Sequence, residues 1–349
     1  MIRLWVIYMR NILIAIIFFG LGVLAVLFLN QNRVGNQLSP LGKADQTTDS
    51  LNKYRFTNLK KQKFESSEIE IGELVKDEAN FSSYMFFFSV DGKKVSGLIN
   101  IPKQSGIYPV AVLLRGYVDQ EIYTTGIGTA AVGEFLAVNN YITLAPDFLG
   151  YGESDNPSQS SIEERFQTYT TALTLLASIN KLQDSFNKNK LEDIQMNSNQ
   201  VGLWGHSNGG HIALAVLSIT GKKYPTSLWA PVSKPFPYSI LYYTDEFTDR
   251  GKALRKVIAE FEVNHDIEAF SPTKYLKWIK ATMQIHQGLN DDAVPVVWSN
   301  QLYDQLKELD KKVEYFIYEN ADHNLRPEGW EPAVQRTLDL FNQQFSLNQ

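Results

Sequence analysis

The chain has 349 residues, a formal net charge of -5 and no cysteine. That length allows one large domain or two modest ones with a full core. Lysine and arginine are scattered, which argues against nucleic-acid binding, and disulfides, cysteine-based zinc sites, iron–sulfur clusters and a thiol nucleophile are excluded.

Residues 1–30 differ from the rest. The run ILIAIIFFGLGVLAVLFL at 12–29 is uncharged and apolar on all sides, at the lower end of the ~17–25 residues that cross a bilayer. Trp5 and Tyr8 precede it as interface anchors would. A cleaved signal peptide would have a shorter apolar region, about 7–15 residues, and a small-x-small cleavage site; VLFLNQNR offers no such site. A single uncleaved N-terminal membrane anchor, a transmembrane helix, is therefore expected in preference to a signal peptide or a buried core helix. Arg3, Arg10 and the α-amine before the run, against Arg33 and Lys43 after it, give a slight bias that puts the N-terminus in the cytoplasm and the bulk of the chain outside. Residues 31–67 are polar, with Gly, Pro, Asn and Ser, and read as a linker. Residues 68–349 read as one catalytic domain.

Within that domain, residues 82–102 (SSYMFFFSVDGKKVSGLINIP) hold two apolar runs joined at Asp91-Gly92. This is a β-hairpin signal, predicted at the antiparallel edge of a sheet. Further on, apolar runs starting at Val110, Tyr141, Val201, Thr226, Ala281 and Val313 predict strands, and helical patterns lie near 127–138, 163–183, 208–219, 296–309 and 331–345. The alternation implies an α/β fold with a mostly parallel central sheet and helices on both faces. Reactive groups in such sheets sit past the carboxyl ends of the strands. Residues 232–276 break the alternation with KPFPYSILYYTDEF and RGKALRKVIAEFEV. A cap over the active face would look like this, and so would a helical excursion of no catalytic importance.

The stretch VGLWGHSNGGHIALAVL at 201–217 places Ser207 between Gly205 and Gly209 where an apolar strand meets a helix. A G-x-S-x-G in that context is a sharp strand-to-helix turn that holds a serine clear of the sheet, with the helix N-terminus favouring negative charge beside it. A serine needs a base and a group to orient that base. Of the histidines downstream, His211 lies on the following helix, where packing is the favoured reading; His265 falls in the irregular segment and is expected on the surface; His286 lies inside a predicted strand and is expected to be buried and hydrogen-bonded. His323, in the loop of YENADHNLRP directly after the last strand, is the best base. For the acid, IHQGLNDDAVP puts Asp291 and Asp292 just past a strand, with Gly288 allowing the turn. Helix caps would occupy the same place. One N–H of an oxyanion hole is expected on the residue after the nucleophile, Asn208.

The G-x-S-x-G and the chain order Ser, Asp, His resemble the α/β-hydrolase superfamily, and within it the prolyl-oligopeptidase and dienelactone-hydrolase branch, over residues 69–345. The G-x-x-D-D-x-V-P stretch from Gly288 is similar to that branch's acid loop, which implies Asp291 as the orienting acid and Asp292 as a neighbour or cap. APDFLGYGESD at 145–155 looks like a further strand and loop of the branch, in which Asp147 and Ser154 are structural. The resemblance also implies a second oxyanion donor in LLRGYVDQEIY, where Arg115 stands in place of the family's common histidine and Tyr117 is the expected donor; Tyr123 reads as a packed aromatic. The expected activity is that of a serine hydrolase cleaving ester or amide bonds of a small ester or short peptide through an acyl-enzyme, with the triad Ser207, Asp291 and His323 and no metal or organic cofactor. Peptidases of this branch carry a large β-propeller before the catalytic domain, and the ~80 residues between the anchor and the hydrolase core are too few to build one. That favours an esterase, or a small-peptide serine peptidase. The alternative from another class is a non-catalytic, membrane-tethered binding protein on a hydrolase fold, against which the complete triad argues.

Overall fold

A computed structural model describes residues 50–346. Its strands are β1 (Glu70–Asp77), β2 (Phe81–Val90), β3 (Lys93–Pro102), β4 (Gly106–Leu114), β5 (Ile142–Pro146), β6 (Ile194–His206), β7 (Thr226–Trp229), β8 (Met283–Gly288) and β9 (Val313–Tyr318). They form one sheet in the order β1-β2-β3-β5-β4-β6-β7-β8-β9. Pairing is antiparallel from β1 to β5 and parallel from β5 to β9. The hairpin turns at Asp91 and Gly92, both with positive φ, the backbone that a two-residue turn between twisted strands requires.

The principal helices are α1 (Ala130–Val138), α2 (Ser161–Ser178), α3 (Asn208–Thr220), α4 (Lys252–Glu262), α5 (Val296–Glu308) and α6 (Trp330–Phe345). Period-two alternation divides their work. Along β4, Val110, Val112 and Leu114 join the core built with α2, α3 and α5, whereas Ala111 and Leu113 join the core built with α1 and α6. Helices therefore cover both faces, and the continuous apolar run of β4 follows from its burial on both. Helix α2 opens with a Ser-x-x-Glu cap in which Ser160 Oγ accepts the Glu163 N–H.

Three features differ from the sequence expectation. The antiparallel edge of the sheet is a strand not predicted, β1: its residues are mostly exposed, so it shows little of the apolar pattern that marks a strand. Residues 50–59 lie within the expected linker but form two short helical turns, and Leu51, Tyr54, Phe56 and Leu59 are buried in the core. Phe56 stacks on Tyr275 with ring centroids 5.1 Å apart. His265, expected on the surface, is buried, its ring stacked on Phe261 at 4.4 Å. The segment after Val232 folds as short helical turns and α4, and Phe236, Phe261 and Phe270 pack around Phe166 of α2. Aromatic pairs of this kind contribute about 0.5–1.5 kcal/mol each beyond their burial. The expected membrane anchor, and residues 31–49 of the expected linker, lie outside the described residues; among the described residues no helix is long and apolar enough to cross a membrane.

Candidate active site

Ser207 sits between β6 and α3 with φ 53° and ψ -117°, a backbone conformation an L-residue adopts only under constraint. The constraint is visible. The Ser207 N–H donates to the Trp229 carbonyl at 2.9 Å, and its own carbonyl accepts from Gly210 at 3.0 Å and from Val232 at 3.0 Å. A Cβ at Gly209 would overlap the Leu114 carbonyl oxygen, so the glycine lets α3 rest directly on the end of β4. Asn208 is the first residue of α3, and the N–H groups there have no acceptor within the helix. Among the described residues, Ser207 Oγ has no hydrogen-bond partner.

Asp291 and His323 are brought together from the loops after β8 and β9. His323 Nδ1 lies 3.0 Å from both carboxylate oxygens of Asp291. The Asp291 side chain is fully buried and the imidazole of His323 is 18% exposed. Asp291 also accepts from the Ala293 N–H at 3.0 Å, the Val294 N–H at 2.8 Å and Gln287 Nε2 at 2.7 Å. Burial alone would raise the Asp291 pKa, but the His323 hydrogen bond and charge, with the Val294 and Gln287 donors, outweigh it and hold the carboxyl below its ordinary value. The acid is therefore an anion aimed at Nδ1, leaving Nε2 of His323 as the free ring nitrogen. Asp292 is exposed and makes no comparable contact. The glycine expected to permit the turn acts by close approach: a Cβ at Gly288 would overlap the carbonyl oxygens of Ala321 and Asp322, so its absence lets the His323 loop lie against β8.

His206, the variable residue before the serine, was not singled out by sequence reasoning. Its Nε2 lies 2.9 Å from the His323 carbonyl oxygen, and the two rings approach to 4.6 Å. Burial, and then the charge of His323, lower its pKa to about 4. It is thus a neutral donor that pins the backbone of His323 beside Ser207. The only sequence signal was its place within the G-x-S-x-G.

The loop after β4 meets Ser207 from the other side. A Cβ at Gly116 would stand 3.1 Å from that of Ser207. Arg115 is buried; its Nη1 donates to the Gly116 carbonyl at 2.9 Å and its Nη2 to the Asp147 carbonyl at 2.8 Å. Its guanidinium lies 3.9 Å from the centroid of the Tyr151 ring and 4.5 Å from that of Tyr123. In a planar trans peptide the C=O and N–H point in opposite directions, so holding the Gly116 carbonyl fixes the direction of the Tyr117 N–H. The Tyr117 side chain itself points away: it is exposed and donates to Asp119 at 2.8 Å. Asp147 is fully buried and accepts from Ser96, Tyr123 and Thr125, and Ser154 accepts from the Ser96 N–H, so both fasten loops as expected. Tyr123 accordingly combines packing with a hydrogen bond.

The other histidines are engaged elsewhere. His211 is buried between Tyr169 OH at 2.8 Å and the Val232 carbonyl at 3.0 Å. His286 is buried with Nδ1 2.8 Å from Tyr318 OH. Burial lowers both pKa values to about 3.

Comparison with known proteins adds to this geometry. Residues 178–347 match the model of the prolyl oligopeptidase family, and residues 79–228 that of chlorophyllase. The uncharacterized peptidase YtmA of Bacillus subtilis (strain 168) is 23% identical over 249 residues, which are 70% of this chain and 87% of the relative. Among solved structures, an acetyl xylan esterase from Paenibacillus sp. R4 superposes with a TM-score of 0.57 at 17% identity, covering 86% of this chain and 95% of that one. Acetyl xylan esterase 1 from Thermoanaerobacterium sp. JW/SL YS485 gives 0.54 at 17% identity, covering 86% and 96%. These structural likenesses show a shared α/β-hydrolase fold.

Proposed function

For this serine hydrolase, a prolyl-oligopeptidase-like α/β hydrolase with no β-propeller among its described residues, we propose two-step acyl transfer on small esters, with Ser207 as nucleophile, His323 as base and Asp291 as the acid that orients the base. Ser207 Oγ attacks the substrate carbonyl while its proton passes to Nε2 of His323; the Asp291 carboxylate stabilises the imidazolium that results. The tetrahedral oxygen takes its hydrogen bonds from the N–H groups of Asn208 and Tyr117. The imidazolium then protonates the leaving group, the acyl-serine forms, and water activated by His323 releases the acid product. The first step requires Ser207 Oγ to come within hydrogen-bond reach of Nε2, a contact that tightens when substrate is bound.

The observation that carries this reading is the buried Asp291 carboxylate held against His323 Nδ1 beside a serine in a strained strand-to-helix turn. A fluorophosphonate probe tests it: the wild type should label and Ser207→Ala should not. A folded wild type that does not label would favour a binding role instead.

Hydrolysis of short peptides is the second reading. It is favoured by the match of residues 178–347, the part carrying all three triad residues, to the prolyl oligopeptidase family. Parallel assays of acyl esters and aminoacyl amides separate the two. The apolar run at 12–29 supports an N-terminal membrane anchor, and the cations that precede it support a catalytic domain outside the cytoplasm; alkaline extraction of membranes and protease accessibility in intact cells test that placement.

A further inference from the structure

Beside the nucleophile lies a cation that the mechanism does not use. Arg165, in the first turns of α2, reaches over α3, and its Nη1 donates to Asn208 Oδ1, the side chain of the residue directly after Ser207. Its Nε and Nη2 are buried and have no hydrogen-bond partner. Among the described residues no carboxylate stands within ion-pair distance of this guanidinium. The Tyr169 hydroxyl lies close enough to the guanidinium for its charge and a weak hydrogen-bond contact to act on it, while its well-formed hydrogen bond is with His211 Nε2 at 2.8 Å. The nearby carboxyl of Glu164 feels the Arg165 charge but makes no ion pair with it, and burial pushes its pKa up, toward the neutral form.

A second orphan faces the same region. The Tyr243 hydroxyl, from the segment that follows Val232, is buried without a partner. Its ring packs on Val232, Val294 and Trp298; the Val232 N–H donates to the Ser207 carbonyl and the Val294 N–H to Asp291, so Tyr243 stands beside the loops that carry the serine and the acid, and the charges of Asp291 and Arg165 both act on its hydroxyl. Leaving a buried donor unsatisfied costs about 1–3 kcal/mol, and more for a charged group. Two buried, unsatisfied nitrogens on one guanidinium stand at the upper end of that range. Natural proteins keep such costs where a ligand removes them.

We propose that Arg165 and Tyr243 form a carboxylate-binding subsite next to Ser207, so that the preferred substrate of this hydrolase carries a free carboxylate close to the scissile bond. The planar guanidinium offers two N–H groups to one carboxylate, and the tyrosine hydroxyl offers a third donor. Because Arg165 is tied to Asn208, the bound carboxylate sits close to the peptide whose N–H receives the developing oxyanion. Two kinds of molecule present this chemistry: a monoester of a dicarboxylic acid, with the carboxylate on the acyl side, and a short peptide with a free C-terminus, with the carboxylate on the leaving side.

The proposal rests on the acyl-transfer reading, and the experiment separates their failures. Two matched pairs are assayed with the full chain: the 4-nitrophenyl monoester of glutaric acid against 4-nitrophenyl pentanoate, and an N-acetyl dipeptide against its C-terminal amide. In at least one pair the anionic member should be favoured by about tenfold or more in kcat/KM, and which pair shows it identifies the side that bears the carboxylate. Arg165→Met should remove that preference and Tyr243→Phe should reduce it. A purely structural Arg165 would lower both members of a pair equally. Equal rates within both pairs in the wild type, or a preference that survives in Arg165→Met, overturns the subsite. If Arg165→Met does not fold, Arg165→Lys and Tyr243→Phe are compared in the same ratio, and a ratio unchanged in both is equally decisive against it. Should Ser207 neither label nor turn over any of the four compounds, the hydrolase reading has failed. The subsite is then read by thermal stabilisation with glutarate against glutaramide: stabilisation by glutarate alone, lost in Tyr243→Phe or Arg165→Lys, supports it, and its absence overturns it.

Discussion

The carboxylate of Asp291 does two jobs for His323 and its surroundings: both oxygens lie 3.0 Å from the imidazole Nδ1, and one of them also closes the turn by accepting the N–H groups of Ala293 and Val294. Asp291→Asn keeps an oxygen that can serve the turn while giving up the charge that the imidazolium needs. It should therefore leave the fold intact and lower kcat by about a thousandfold or more. Asp292→Asn, at the exposed neighbour, should leave turnover little changed. Steady-state kinetics and circular dichroism on the two variants check this, and a larger loss in Asp292→Asn would move the acid by one residue.

Close approach at Gly288 sets the distance between the strand that leads to the acid and the loop that holds the base. Gly288→Ala should force Ala321 and Asp322 outward, destabilise the protein by about 1–3 kcal/mol and pull His323 off Asp291. Melting temperature and turnover should fall together. A variant that melts early yet keeps full turnover would show that the loop tolerates the shift.

Arg115 offers a test of the oxyanion hole that leaves the triad untouched. Its guanidinium fixes the Gly116 carbonyl, and through the peptide plane the Tyr117 N–H. Arg115→Lys keeps the charge but loses the fork that reaches both the Gly116 and Asp147 carbonyls. The expected result is a fall in kcat of about tenfold with KM little changed, because the oxyanion exists only at the transition state. A rise in KM alone would assign Arg115 to ground-state binding.

His286 makes a prediction about stability. Its pKa is lowered to about 3 by burial first and by the nearby Arg336 charge second. Above the ordinary histidine pKa of about 6.5 both the folded and the unfolded chain are neutral at this residue and it contributes no pH dependence. As the pH falls through that value only the unfolded chain binds the proton, so the folded state loses stability until the folded pKa is reached. Between pH 7 and pH 5 that loss is about 2 kcal/mol for one such group. Urea unfolding at the two pH values should show a difference smaller by about this amount in His286→Phe, the remaining slope coming from other groups such as His206 and His211. Unlike His323→Ala, which should abolish turnover, His286→Phe should retain it; equal loss of activity in folded proteins would overturn the choice of base.

Much of this site could be read in the sequence because its key residues fall in motifs placed at strand ends. Ser207 in its glycine turn, Asp291 after β8 and His323 after β9 each combine a local pattern with a position past a carboxyl edge, and the topology brings such positions together. Arg115 shows the opposite case. Its residue type departs from the expected pattern, and its role depends on the Asp147 carbonyl and the Tyr123 and Tyr151 rings, contacts that no local pattern encodes. Arg165 and Tyr243 belong to no motif, and only the packing of α2 and the segment after Val232 around the serine turn reveals them. Residues 50–59 pack on the core although they lie in a polar stretch, and a weak apolar pattern that starts only at Tyr54 is too short to mark them as part of the domain.

Those same residues fix where the chain enters the domain. Tyr54 OH donates to Glu163 Oε1 at 3.0 Å, and Lys53 pairs with the same carboxylate at 3.1 Å. Glu163 stands two positions before Arg165 in α2, and Arg165 holds Asn208. A pull on residues 50–59 would thus load the helix whose Arg165 holds Asn208, so tension at the start of the described chain and the setting of the residue after Ser207 share one mechanical element.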